Sequence, residues 1–123
     1  MAVSDDFAEF VKELFAPLGA IRTRRMFGGV GVYCDERMFA LIADDELYLK
    51  TDDETLALFE AEGLQPFVFE TKDGEKGVMR YRRAPESVFD DPDEAAAWGR
   101  LGVEAALRAA AKTRKPAKKR AKP

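Results

Sequence analysis

The 123-residue sequence predicts an α+β domain, with one antiparallel sheet and helices packed on one of its faces. Apolar residues recur at helical spacing near both ends of the chain. Through the middle they alternate at strand spacing or form short continuous runs. Only a few polar residues separate these strand-like runs. Turns that short join antiparallel neighbours, because a parallel crossover needs about a dozen residues or more.

Ser4 suits an N-cap, and Asp5 and Asp6 suit the positive end of a helix dipole. Phe7, Phe10, Val11, Leu14, Phe15 and Leu18 then share one helical face, which predicts a helix over about 4–16. Pro17 and Gly19 end it. A short strand covers Ile21 to Met26. In the next strand Val30, Val32 and Cys34 lie on one side, and Gly29, Gly31 and Tyr33 on the other. Asp35-Glu36-Arg37 makes a polar turn. Met38 to Ala43 reads as a buried strand, Asp44-Asp45 as a turn, and Glu46 to Lys50 as a strand with Leu47 and Leu49 on one face.

Thr51 begins a second helix and forms a capping box with Glu54. Leu56, Phe59 and Leu64 are its apolar contacts, and Gly63 its C-terminal cap. Two strands follow, at about 67–72 and 76–83, around Lys72-Asp73-Gly74-Glu75, where Asp-Gly signals a hairpin. Phe67 and Phe69 share one face of the first. In the second, Met79 and Tyr81 lie opposite Arg80 and Arg82. Asp91-Pro92-Asp93-Glu94 opens a third helix with an N-cap, a proline at the first position and a capping-box glutamate. Trp98, Leu101, Ala105 and Leu107 form its buried stripe. Gly99 and Gly102 each cost about 1 kcal/mol in a helix interior, which predicts close packing on the sheet as compensation. The helix runs to about 111. The order is helix, three or four strands, helix, two strands, helix.

Charge divides the chain in two. Residues 1–111 carry a net −10 and residues 112–123 a net +7, within an overall −3. The expected organisation is a folded unit over 1–111 and a disordered basic tail over 112–123. No apolar run approaches the roughly 20 residues that span a bilayer. The acidic N-terminus lacks the basic region of a signal peptide. The single cysteine leaves no internal disulfide. Together these predict a cytoplasmic protein with no membrane contact.

The chemistry available is narrow. There is no histidine, so the commonest general base and metal ligand is missing. One cysteine without histidine gives neither a zinc site nor a Cys–His pair, and Cys34 reads as a buried structural thiol. Asp44-Asp45-Glu46 and Asp52-Asp53-Glu54 are the densest carboxylate clusters, but a turn and a helix start account for them. Gly29-Val30-Gly31 is followed by Val32-Tyr33-Cys34, with neither the third glycine nor the helix of a dinucleotide loop. The glycines are instead bare strand positions against which another group packs closely. The expectation is therefore a protein with no catalytic residues, metal or cofactor.

The segment Arg24-Arg25-Met26-Phe27-Gly28-Gly29-Val30-Gly31-Val32-Tyr33, followed by Met38-Phe39-Ala40-Leu41-Ile42-Ala43-Asp44-Asp45-Glu46-Leu47-Tyr48-Leu49-Lys50, resembles the N-terminal domain of the TfoX (Sxy) family of bacterial competence regulators. Phe67, the basic strand Met79-Arg80-Tyr81-Arg82 and Pro85 extend the resemblance, which runs from about Phe7 to about Leu107. It implies an α+β domain similar to the type II secretion-chaperone-like folds, and a non-enzymatic role. Full-length relatives are regarded as co-activators of DNA-uptake genes that work with a cyclic-AMP-responsive transcription factor. They typically carry a C-terminal helical domain, where this chain has its basic tail.

Three functional readings follow. The first is a regulatory binding module that contacts nucleic acid or a transcription protein through the sheet or the tail. In the tail the cations are Lys112, Arg114, Lys115, Lys118, Lys119, Arg120 and Lys122. If all seven met phosphates of B-DNA, log K against log salt would fall with a slope of about −6. The same tail also suits solubilisation or docking on the acidic body. The second reading is a homodimeric interaction scaffold, with Arg24, Arg25, Met26, Phe27, Gly28, Gly29 and Gly31 as its contact surface. A third, an enzyme built on carboxylates and arginines, has the weakest support.

Overall fold

The computed structural model describes residues 5–26, 29–70 and 76–120. Helix α1 is Asp5–Phe15, and a 3₁₀ turn at Ala16–Leu18 follows it. Strands β1 (Ile21–Met26), β2 (Gly29–Cys34), β3 (Arg37–Ala43) and β4 (Glu46–Lys50) lead to α2 (Leu56–Ala61). Strands β5 (Pro66–Glu70) and β6 (Lys76–Arg83) precede α3 (Ser87–Asp90) and α4 (Pro92–Arg120). The strands form one six-stranded sheet in the order β1-β2-β3-β4-β6-β5. Every pairing is antiparallel, so the α+β architecture holds. Among the described residues no helix is long and apolar enough to cross a membrane.

Two tight turns set the register of the central strands. Asp35 and Glu36 have φ of 50° and 72°, and Asp44 and Asp45 have φ of 53° and 58°. Two successive left-handed residues match the twist of the strands they join. Aspartate tolerates that conformation through its short polar side chain, whereas Glu36 has no such compensation.

All four helices pack on one face of the sheet. Val11 and Phe15 of α1, Phe59 of α2, Val88 of α3 and Ala95 and Ala106 of α4 join one core with Val30, Val32, Ile42, Leu47 and Leu49. A bulge serves this core. Val32 pairs with Ala40 but Tyr33 pairs with Met38, which leaves Phe39 as the extra residue on β3. Phe39 is fully buried and meets the edge of Phe15 at 5.3 Å between ring centres.

The glycines of α4 are where its neighbours come closest. A Cβ on Gly102 would lie 2.8 Å from the Phe39 carbonyl oxygen, so the helix does pack tightly on the sheet there. Gly99 faces Leu18 and Phe15 instead, at 2.7 and 2.8 Å, so its close contact is with the segment of α1 and its 3₁₀ turn. Gly63 has φ of 71° and closes α2, with its N–H and that of Leu64 donating to the carbonyls of Glu60 and Phe59.

Several boundaries differ from the sequence expectations. The second helix begins at Leu56 rather than Thr51. Thr51 is buried, and its hydroxyl donates to the Arg80 carbonyl of β6. The reciprocal cap sits one residue later: the Asp52 carboxylate accepts the N–H groups of Glu54 and Thr55, and the Thr55 hydroxyl accepts the N–H of Asp52. A tertiary partner for Thr51 thus displaces the local one. At α4, Asp91 caps as expected, accepting the Asp93 N–H at 2.9 Å. Glu94 does not close the box; its carboxylate accepts the Ser87 hydroxyl and the Trp98 indole N–H. Ala105 is buried as expected, but Leu107 is 47% exposed, and Ala106 joins the buried stripe instead. The helix continues to Arg120 rather than ending near 111. Alanine, lysine and arginine are strong helix formers, and cations suit a helix C-terminus. The short α3 carried no expectation. The predicted Ser4 cap and the Lys72–Glu75 hairpin tip lie outside the described residues.

Candidate nucleic-acid interface

Alternation along β1 sends its arginines to opposite faces. Arg25 is level with Val30, on the helix side, and its guanidinium meets the Asp5 carboxylate of α1 at 2.5 Å. Arg22 and Arg24 are level with Tyr33 and Gly31, on the uncovered side. Arg22 meets Glu36 at 2.5 Å. Arg24 is exposed and makes no ion pair with any described residue. Both ion pairs are well exposed, so each contributes little to stability. Because β1 is an edge strand, its three arginines also repel a second copy approaching edge to edge.

The rest of the glycine-rich segment divides similarly. Met26 pairs with Gly29 through the backbone, while Phe27 and Gly28 lie outside the described residues. A Cβ on Gly29 would stand 2.6 Å from the Ile42 carbonyl oxygen, so this bare position accommodates the neighbouring β3 backbone. Gly31 pairs with Arg24 on one side and Leu41 on the other. The tail cations are placed as backbone only: Lys112, Arg114, Lys115, Lys118, Lys119 and Arg120 continue α4, and Lys122 lies outside the described residues.

The uncovered face holds groups that carried no functional expectation. Tyr33, Met38, Leu41, Tyr48 and Tyr81 lie on it, outside the main core. Leu41 is only 5% exposed and Tyr81 only 4%, so large neighbours already crowd this surface. Phe67 meets the Tyr48 ring edge on at 5.1 Å. The Lys50 ammonium stands 5.2 Å from the centre of the Tyr81 ring, a cation–π contact. Partial burial lowers the pKa of Lys50, and nearby Arg80 adds to the effect, while Asp52 opposes it. Burial pushes the Tyr81 phenol up to about 12, with a further contribution from Tyr33. Burial and then Glu46 raise the Tyr48 phenol, with Arg83 opposing. Tyr48 and Tyr81 therefore stay neutral at pH 7, and the cations provide this face's positive charge.

Arg80 and Arg82 are turned the other way. Arg82 donates to the Leu64 carbonyl at 2.8 Å, and Arg80 meets Asp53 at 2.6 Å, both on the helix side. Cys34 is buried, as expected of a structural thiol, and donates to the Leu18 carbonyl at 3.7 Å. Burial, then the Asp35 carboxylate, raises its pKa. The Asp44–Glu46 and Asp52–Glu54 clusters lie in a tight turn and a capped helix start. Among the described residues no group of three or more potential ligands is placed to hold a metal ion.

Comparison with known proteins places this geometry in context. The family model described as the TfoX N-terminal domain matches residues 13–106. DNA transformation protein TfoX1 of Aliivibrio fischeri is 38% identical over 65 residues, covering 53% of this chain and 29% of that protein. Protein Sxy of Escherichia coli is 27% identical over 97 residues, covering 79% of this chain and 46% of that protein. The matched part is thus less than half the length of either relative.

Proposed function

The chain belongs to the TfoX N-terminal domain family, and from that premise we propose that it is a non-enzymatic regulatory module of the competence-regulator type. It works in the cytoplasm by binding nucleic acid or a transcription protein. The observation that carries this reading is the family match combined with the charge division of the chain. An acidic folded unit carries Arg22, Arg24, Lys50 and Arg83 on its uncovered sheet face and a further run of cations along the end of its last helix. Such a division repels polyanions from most of the surface and directs them to the basic parts. One relative's name, DNA transformation protein, makes DNA the nucleic acid to test first.

Phosphate contacts position a protein without reading bases, so the tail supplies affinity rather than sequence preference. A gel-shift titration of the full chain against residues 1–111 tests the reading. The full chain is expected to bind with a salt slope approaching about −6, and the shortened chain more weakly and with a shallower slope. Absence of salt-sensitive binding by both sinks the nucleic-acid half and leaves a protein partner.

A further inference from the structure

We infer that the uncovered sheet face is a binding platform for single-stranded DNA, laid across the row Arg24–Gly31–Leu41–Tyr48–Arg83. The inference rests on the reading above that the module contacts nucleic acid, but it places a second contact away from the tail. Four successive pairings define the row. Arg24 pairs with Gly31, Gly31 with Leu41, Leu41 with Tyr48, and Tyr48 with Arg83. Paired residues point to the same face, so these five form a line perpendicular to the strands. Four strand spacings make it about 19 Å long.

The order of side chains along the line fits a polyanion with planar bases. A cation stands at each end. Between them Gly31 contributes no side chain, Leu41 is buried beneath its neighbours at 5% exposure, and Tyr48 offers a half-buried aromatic ring. Tyr33 lies two residues along β2 from Gly31, and Phe67 abuts Tyr48, so further ring surface flanks the row. Arg24 has no carboxylate partner among the described residues. Arg83 is shared with Glu46 at 3.2 Å, and both side chains are about two-fifths exposed, so little holds the pair together.

Charge selects the occupant. The described cations on this face are Arg22, Arg24, Lys50 and Arg83, against Glu46 on the face, Asp44 acting on Tyr48 from the adjoining turn and Glu36 at the edge. The remainder of residues 1–111 is strongly acidic. An acidic peptide would satisfy the cations but offers no succession of flat rings. A duplex hides its base faces in the stack, whereas a single strand presents both phosphates and bases. Base–aromatic stacking on a basic groove is the general mode of single-strand binding.

The test is fluorescence anisotropy of a labelled 15-mer oligothymidylate with the full chain and its variants. Wild type is expected to bind it more tightly than a duplex 15-mer, oligouridylate or polyglutamate. Tyr48→Ala should weaken binding about 5- to 100-fold, the effect of losing one stacked base. Tyr48→Phe should keep wild-type affinity, because the ring rather than the hydroxyl is used. Arg24→Glu should weaken binding about tenfold or more and make the salt slope shallower. Arg24 is exposed, so this variant keeps the inference testable if Tyr48→Ala fails to fold. Wild-type affinity in folded Arg24→Glu and Tyr48→Ala, with loss only on removing 112–123, overturns the platform while sparing the nucleic-acid reading. No binding of any nucleic acid by wild type overturns both. A preference for duplex, oligouridylate or polyglutamate overturns the single-stranded DNA assignment.

Discussion

Asp52 and Arg108 stand 56 residues apart in sequence and share two hydrogen bonds: Arg108 Nε donates to Oδ2 at 2.6 Å and Nη2 to Oδ1 at 3.2 Å. The same carboxylate caps the N–H groups of Glu54 and Thr55. One side chain thus starts α2 and ties it to α4. The hydrogen bond from Arg108, with that charge close by, holds the Asp52 carboxyl below its usual range despite partial burial.

The first prediction follows from that carboxylate. Its folded-state pKa is depressed, so the unfolded chain takes up the proton first as pH falls. The stability it contributes is complete above the unfolded-state value near 3.8 and is lost as pH falls through the lower folded-state value. Arg108→Ala should destabilise the protein by about 1–2 kcal/mol at neutral pH. Urea melts of wild type and variant should converge as pH falls below the ordinary carboxylate range. A difference that stays constant into strong acid contradicts the assignment.

Glycine-to-alanine substitutions should destabilise at two positions for different reasons. At Gly102 the added methyl would meet the Phe39 carbonyl at 2.8 Å, so overpacking of about 1–3 kcal/mol outweighs the ~1 kcal/mol gained in helix propensity. At Gly63 nothing lies within 4 Å, but φ is 71°, and alanine there costs about 1 kcal/mol in backbone strain. Thermal melts with crystal structures of the two variants separate these causes. Gly102→Ala should shift α4 away from β3, and Gly63→Ala should leave packing unchanged. A stabilised Gly102→Ala shows that α4 has room to spare.

Glu36→Gly should have the opposite sign. Glu36 has φ of 72° with no glycine freedom, and relief of that strain offers about 1 kcal/mol. The exposed ion pair lost with Arg22 is worth a few tenths of a kcal/mol. A rise in the denaturation midpoint with an unchanged m-value is the expected result. A fall shows that the Arg22 contact matters more than the turn.

Cys34 should be unreactive in the folded protein. It is buried and its pKa is raised, so both access and thiolate population are low. A thiol-specific chromogenic reagent at pH 8 should label it only as fast as the chain opens, and at once in denaturant. Immediate labelling of the native protein would mean that the β2 end of the core is open.

How much of this was legible in the sequence depended on whether a residue's partner was local. The helix over Asp5–Phe15, the turns at Asp35-Glu36 and Asp44-Asp45, and the Gly63 cap were legible because their determinants lie within a few residues. Thr51 was misread because its partner is Arg80, 29 residues away, and nothing near Thr51 announces it. Leu107 was misread because helical spacing puts it about 200° around α4 from Ala105, away from the core that Ala105 and Ala106 enter. Of the proposed platform, Arg24 and Gly31 belong to the motif that the sequence offered as a contact surface. Tyr48, Leu41 and Arg83 were missed because their common line appears only once the register is known. The two tight turns were the available signal: they fix β2, β3 and β4 against one another, and counting outward from them aligns Gly31 with Leu41 and Tyr48.

The central claim is that the uncovered sheet face, rather than the helical face, is where DNA is engaged. Amide chemical-shift mapping tests it most directly, with the full isotope-labelled chain titrated with oligothymidylate. The account predicts shifts concentrated at Arg24, Gly31, Tyr33, Leu41, Tyr48 and Arg83, with a second set beyond Ala111. Shifts confined to α1, α3 and the first turns of α4, or no shifts in the sheet at saturating DNA, would contradict it.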